Sequence, residues 1–306
     1  MNTVVSYIRN FLKEDFNPKY YLSVALFLGI CVYMSYNFGF NTYVNRFYGK
    51  PLYFVFHFLM YVISYYMIIG IQVLFKREIP LKSFKFWGLS LVGILIISLD
   101  VSLPYYKILT SFRSHALFSF GYSIFKETVC VITIIFPLWF LWKKYFDTES
   151  FFGLTFRGFD WKPYAVLLLL MFIVIAISLQ SSPVSNYYPT YKSGNAHTVL
   201  GISEWIIVAI YELFYGLDFI SIELFYRGFM VIGLGALLGK EAIMPMASLY
   251  CFLHFGKPYP ETISSIFGGY ILGIIALYSR NILGGVFIHV GIAWMMELLS
   301  YLRKIS

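Results

Sequence analysis

A chain of 306 residues that is 59% hydrophobic, 21% aromatic and only 12% charged, where an ordinary soluble domain carries roughly 25% charged residues, excludes a soluble enzyme. Its length gives room for about eight or nine membrane spans of ~20 residues joined by short loops, so the expected fold is all-α, a polytopic membrane helix bundle of about 8–9 transmembrane helices. The +8 net charge does not point to nucleic acid, because Lys and Arg are spread through the loops rather than gathered on one face.

In chain order, residues 1–20 read as an amphipathic cytoplasmic leader, with Ile8, Phe11, Leu12 and Phe16 at helical spacing. Spans are expected at about 21–39 and 52–75, then at 86–103 after the basic loop Lys76 to Lys85, which the positive-inside rule places in the cytoplasm together with the N-terminus. A fourth span at 116–142 carries Lys126 and Glu127, which point in different directions on a helix and form no self-contained pair. A fifth is expected at 164–180, followed by an outward polar loop with Ser181, Asn195 and His197. Trp87, Trp142 and Trp161 fall near span ends, where an indole anchors the interface. Cys31, Cys130 and Cys251 are odd in number and read as small core residues. His57 reads as a core residue, His115 and His197 as loop residues.

From Glu204 to Leu238 the apolar sequence continues for a length that one straight helix would draw out to about 52 Å, beyond a hydrocarbon core of about 30 Å. It must tilt, break or protrude, with Gly216 the expected interruption. Further spans follow at about 242–256, 263–279 and 282–301; with nine spans the C-terminus lies outside, against which Arg303 and Lys304 argue, so a re-entrant segment is an alternative. The domain division expected is a leader over 1–20, N-terminal transmembrane helices over 21–200 and a core over 201–302.

That core holds the chemistry. Glu223 and Arg227 are one helical turn apart and share a face, and an ionisable pair at membrane depth is a functional-site hypothesis by default. His254 and His289 follow in later apolar segments. Glu212 lies in Tyr211-Glu-Leu-Phe-Tyr, an echo of Ile222-Glu-Leu-Phe-Tyr that would set it on the same stripe as Glu223. Asp100, Glu127 and Glu297 are ambiguous, and Lys257 and Glu261 read as an interfacial loop.

The ordered set Glu223-x-x-x-Arg227-Gly228, Tyr250-x-x-x-His254 and His289-x-x-x-Ala293 resembles the CPBP family of intramembrane proteases, the CAAX-processing and bacteriocin-processing group also called Abi proteins. The family pattern is Glu-Glu-x-x-x-Arg, Phe-x-x-x-His and His-x-x-x-Asn, and the resemblance covers about residues 200–300. It implies a membrane-embedded glutamate-type endopeptidase in a bacterial inner membrane. The implied substrate is a membrane protein or lipidated peptide, met among membrane lipid, with no organic cofactor and no metal. Two positions depart: the family's first Glu falls on Ile222 and its closing Asn on Ala293.

Peptide hydrolysis needs a water deprotonated beside the scissile carbonyl and a donor for the developing oxyanion. On the family's pattern Glu223 is the base, His254 its partner, His289 the oxyanion donor and Arg227 the group that orients the carboxylate. The departures leave Asp218 as an alternative base, with Tyr226 or a backbone N–H as a substitute donor. They equally permit an inactive relative that scaffolds or protects a membrane partner. A zinc site built from one Glu and two His is a further alternative, without a His-Glu-x-x-His spacing to support it. A transporter lacks its two matching halves.

Overall fold

In lipid an apolar run can satisfy its backbone groups within itself only as a helix. The computed structural model describes residues 2–105, 115–146, 148–191 and 195–305. Among these there is no β-strand, only an isolated bridge between Phe151 and Leu154. Residues 192–194, in the middle of the expected outward loop, lie outside the described residues.

The leader is helix α1 (Asn2–Asp15). Helix α2 (Pro18–Asn37) starts on a proline, and the Asn17 side chain accepts from the Lys19 and Tyr20 N–H groups, so cap and first-turn proline fix the same starting point. A short α3 (Phe40–Asn45) leads to α4 (Pro51–Leu74) and α5 (Phe84–Ser102), the latter capped by Ser83. Next, α6 (His115–Cys130) passes through a π-helical stretch, Val131–Ile135, into α7 (Phe136–Tyr145). Helix α8 (Lys162–Ser178) is followed by the short α9 (Ser182–Tyr187) and α10 (Ala196–Leu200). His115 therefore opens a helix and His197 lies in one, rather than in loops.

The long run is not interrupted at Gly216. Helix α11 (Glu204–Glu223) continues through that glycine, which stays helical because its bare Cα makes room for the Trp294 indole: a Cβ there would meet the ring at 3.1 Å. The break in α-geometry comes eight residues later, as the π-helical segment Leu224–Gly233. It runs into α12 (Gly235–Leu238), a 3-10 turn (Gly239–Ala242) and α13 (Ile243–Leu253). Helices α14 (Tyr259–Ser279) and α15 (Leu283–Ile305) complete the bundle.

Among the described residues seven helical stretches are long and apolar enough to cross a membrane, and α8 is a shorter apolar one. One of the seven, Glu204–Leu253, turns back at the 3-10 turn and so supplies two passes. The protein is thus an all-α polytopic membrane bundle of about eight to nine helices. Helix α8 keeps Leu169, Ile173 and Ile177 exposed, as a lipid-facing helix does.

Two sets of polar contacts fix the ends of the bundle. At one end Arg77 Nη1 donates to Asp15 Oδ1 and, at 3.1 Å, to Glu241 Oε1, while Nη2 donates to the Asp15 carbonyl at 2.8 Å. Gln72 Nε2 donates to the Glu241 carbonyl at 2.9 Å, and the guanidinium lies 4.0 Å over the Tyr20 ring. The leader, the basic loop and the 3-10 turn therefore share one end. At the other end Tyr36 donates to the Lys257 carbonyl at 2.7 Å, so α13 runs from the Arg77 end to the opposite one.

Lys126 and Glu127 do pair, at 3.1 Å, contrary to expectation. Adjacent residues leave the helix about 100° apart, but a lysine's four-carbon stem lets its ammonium bend back to the carboxylate when water is scarce.

Candidate active site

Glu223 closes α11 and Arg227 falls in the first turn of the π segment, with side chains 0% and 1% exposed. Arg227 Nη1 lies 2.8 Å from Glu223 Oε1. Each charge alone would be prohibitive at this depth, so each is the condition for the other. The approach is that of an ion pair whose N–H is not aimed along the line of contact, since Nη1 and Nε have no hydrogen-bond acceptor. The guanidinium lies instead over the Tyr250 ring, 4.5 Å from its centroid, a cation–π arrangement.

Helix α15 brings the third group. His289 Nδ1 is 3.0 Å from the same Glu223 oxygen, and His289 Nε2 is 3.0 Å from the Tyr250 hydroxyl. A carboxylate only accepts, so Nδ1 carries the imidazole proton and Nε2 accepts from the tyrosine O–H. The result is a directed chain, Tyr250 to His289 to Glu223, with the Phe219 ring 4.3 Å from the imidazole.

The second carboxylate oxygen, Glu223 Oε2, is buried without a partner. It lies against Gly285, one turn before His289 on α15, where an added Cβ would collide with it. Gly285→Ala is expected to push the carboxylate off His289 and to reduce any activity of the site by about 10². Activity assays paired with unfolding curves will show whether the loss exceeds what lower stability explains.

His254 sits just beyond α13. Its Nδ1 is 2.9 Å from the Tyr250 carbonyl and therefore donates, and its Nε2 is 4.0 Å from Glu261 Oε1. Burial, with the Lys257 charge beside it, pushes the imidazole well below its usual pKa range, so Nε2 presents a lone pair. Glu261 is held by Lys257 at 2.8 Å and by the Tyr188 hydroxyl at 2.9 Å. The structure thus assembles Glu223, Arg227 and His289 directly, and His254 through Tyr250. The expected pairing of His254 with Glu223 is replaced by His289, because α15 rather than the end of α13 faces the Glu223 carboxylate.

Tyr250 is the participant that sequence reasoning missed. The available signal was a tyrosine at a position where the resembled pattern has phenylalanine.

Asp218 is turned elsewhere: Ser221 donates to its carboxylate at 3.3 Å, and its charged neighbours are Glu127 and Lys126 on α6 and Asp100 on α5. Ile222 is buried in the main apolar cluster, and Ala293 is buried without offering a donor. Glu212 does not reach Glu223; its carbonyl accepts from the Trp294 indole at 3.0 Å. Glu297 accepts from the Thr190 N–H and hydroxyl at 2.8 and 2.6 Å. Among the described residues no three His, Cys, Asp or Glu side chains are gathered as a metal ion would require.

No curated protein and no solved structure matches the chain. Residues 202–295 match the family model described as type II CAAX prenyl endopeptidase Rce1-like, a stretch that contains Glu223, Arg227, Tyr250, His254 and His289. The chain is thus an integral, multi-pass membrane protein whose residues 202–295 are similar to a family of CAAX-type membrane proteases.

Proposed function

We propose that the protein is a membrane-embedded endopeptidase in which Glu223 is the general base and His289 its partner, acting on a membrane-associated polypeptide. The observation that supports this most is the pairing of one fully buried carboxylate with both a guanidinium and an imidazole at 2.8 and 3.0 Å, inside the stretch that matches the endopeptidase family.

Glu223 Oε1 is occupied by Arg227 and His289, which leaves Oε2 to take a proton from water. The hydroxide formed adds to the scissile carbonyl, and Glu223 returns the proton to the leaving amine. His289 Nδ1–H and Arg227 hold the carboxylate in position between turnovers. With alanine at 293 and the Tyr250 O–H committed to His289, oxyanion stabilisation falls to the unpartnered Arg227 N–H groups. A missing dedicated donor slows such chemistry by about 10²–10³, so a slow enzyme is expected.

The test is cleavage of a membrane-peptide library by the purified protein in lipid, with and without chelator. Expected are chelator-insensitive products, lost by at least about 10² in His289→Ala and retained in Asp218→Asn. Absence of cleavage by well-folded protein would favour an inactive scaffolding relative, and loss with chelator a metal-dependent enzyme.

Tyr250→Phe removes only the hydroxyl that donates to His289. It is expected to lower the cleavage rate about tenfold, the weight of one buried hydrogen bond. An unchanged rate would reduce Tyr250 to packing.

A further inference from the structure

A recess of about 410 Å³ lies between the N-terminal half of α11 and the C-terminal half of α15. Tyr191, Trp205, Glu212, Trp294, Glu297 and Tyr301 line it. Its size suits a side chain or small ligand, and its walls combine aromatic faces with carboxylates. The described lining includes no Lys, Arg or His. Glu212 Oε2 is buried here without a hydrogen-bond partner. A carboxylate in that position at membrane depth is stabilised by a cation that comes to it, and Trp and Tyr faces attract the same cation.

The recess lies along the same pair of helices as Glu223 and His289. Glu212, Gly216, Phe219 and Glu223 follow one another at steps of four, three and four residues, a single stripe along α11. His289, Ala293 and Glu297 form the facing stripe on α15. The Trp294 indole against Gly216 and the Phe219 ring against His289 join the two stripes. Along the helices the recess is about 12–16 Å from the Glu223–His289 pair, the reach of about four to five residues of extended chain.

We propose that this recess is a substrate subsite that accepts a Lys or Arg side chain about four to five residues from the scissile bond. A zwitterionic lipid headgroup fits less well, because its phosphate would come against the Glu212 carboxylate. The inference rests on the endopeptidase reading for the word substrate, and on the recess alone for the cation.

The experiment uses single-span peptides that differ only in carrying Lys, norleucine or Glu at that position, presented to the full-length protein in phosphatidylcholine nanodiscs. Cleavage is followed by mass spectrometry, and peptide retention is measured in parallel. Wild type is expected to cut the Lys peptide about tenfold or more better than the norleucine peptide. That ratio should collapse towards one in Glu212→Gln and tip towards the Glu peptide in Glu212→Lys.

Equal cutting of Lys and norleucine peptides by wild type, a comparison that needs no variant, would overturn the subsite and leave the endopeptidase standing. No cutting, with Lys-selective retention that Glu212→Gln abolishes, would overturn the endopeptidase and keep the cation site. Neither cutting nor selective retention would overturn both.

Discussion

Glu223→Gln is expected to lower peptide cleavage by at least about 10³, the largest single effect in the molecule. Glutamine keeps the volume and one oxygen, but it cannot take a proton from water. The same change also strips Arg227, 1% exposed, of its anion, and an uncompensated buried charge costs about 3–5 kcal/mol. Activity and stability therefore fall together, and a second change is needed to separate them. Arg227→Met added to Glu223→Gln removes the stranded cation and is expected to restore most of the stability while cleavage stays lost. Unfolding curves in nanodiscs and cleavage rates on wild type, Glu223→Gln, Arg227→Met and the double variant complete the cycle. Retention of more than a tenth of wild-type activity in Glu223→Gln would remove this carboxylate from the chemistry.

The second large effect is expected at the other end of the bundle, where Arg77→Leu should destabilise the protein by about 3–5 kcal/mol. Asp15 and Glu241 are 6% and 7% exposed, and both are held by the one guanidinium. Without it two buried acids face each other, and the leader loses the tie that sets its angle against α2. Asp15→Asn with Glu241→Gln in the Arg77→Leu background should recover much of the loss. Limited proteolysis should cut the leader faster in Arg77→Leu alone. An unfolding midpoint unchanged by Arg77→Leu would mean that the contact is a surface-grade ion pair.

The helices were legible in the sequence because lipid leaves an apolar run so few options. The span from 51 to 74 and that from 84 to 102 follow directly from hydropathy and flanking charge. The Glu223–Arg227 pair was legible for a related reason: a spacing of four reads out one helix face. What lay beyond reach was the phase of one helix against another. Whether His254 or His289 meets Glu223 depends on how α13 and α15 are rotated, and no period within either segment records that.

The π-helical segment from Leu224 to Gly233 was hidden because its residues are ordinary helix formers, and its extra residue per turn is set by packing. It lies against the other π segment. Gly228 and Gly233 also leave room for Phe152, whose backbone or ring a Cβ at either would crowd to 2.9 Å. Gly216 misled for the converse reason: its lack of a side chain serves a neighbour's ring instead of a break.

The Arg77 contact also orders the molecule in time. Its partners are an aspartate made near the start of the chain and a glutamate made more than two hundred residues later. During synthesis, therefore, the basic loop and the leader wait without their third member until α12 has been inserted. Glu223 precedes that closing residue by a few turns, whereas His254 and His289 follow it. The Arg77 end locks before His254 and His289 are in place, so a chain stalled partway through synthesis carries the Glu223 carboxylate without the imidazole that pairs with it. On the proposed reading, the site is complete only once α15 is in place.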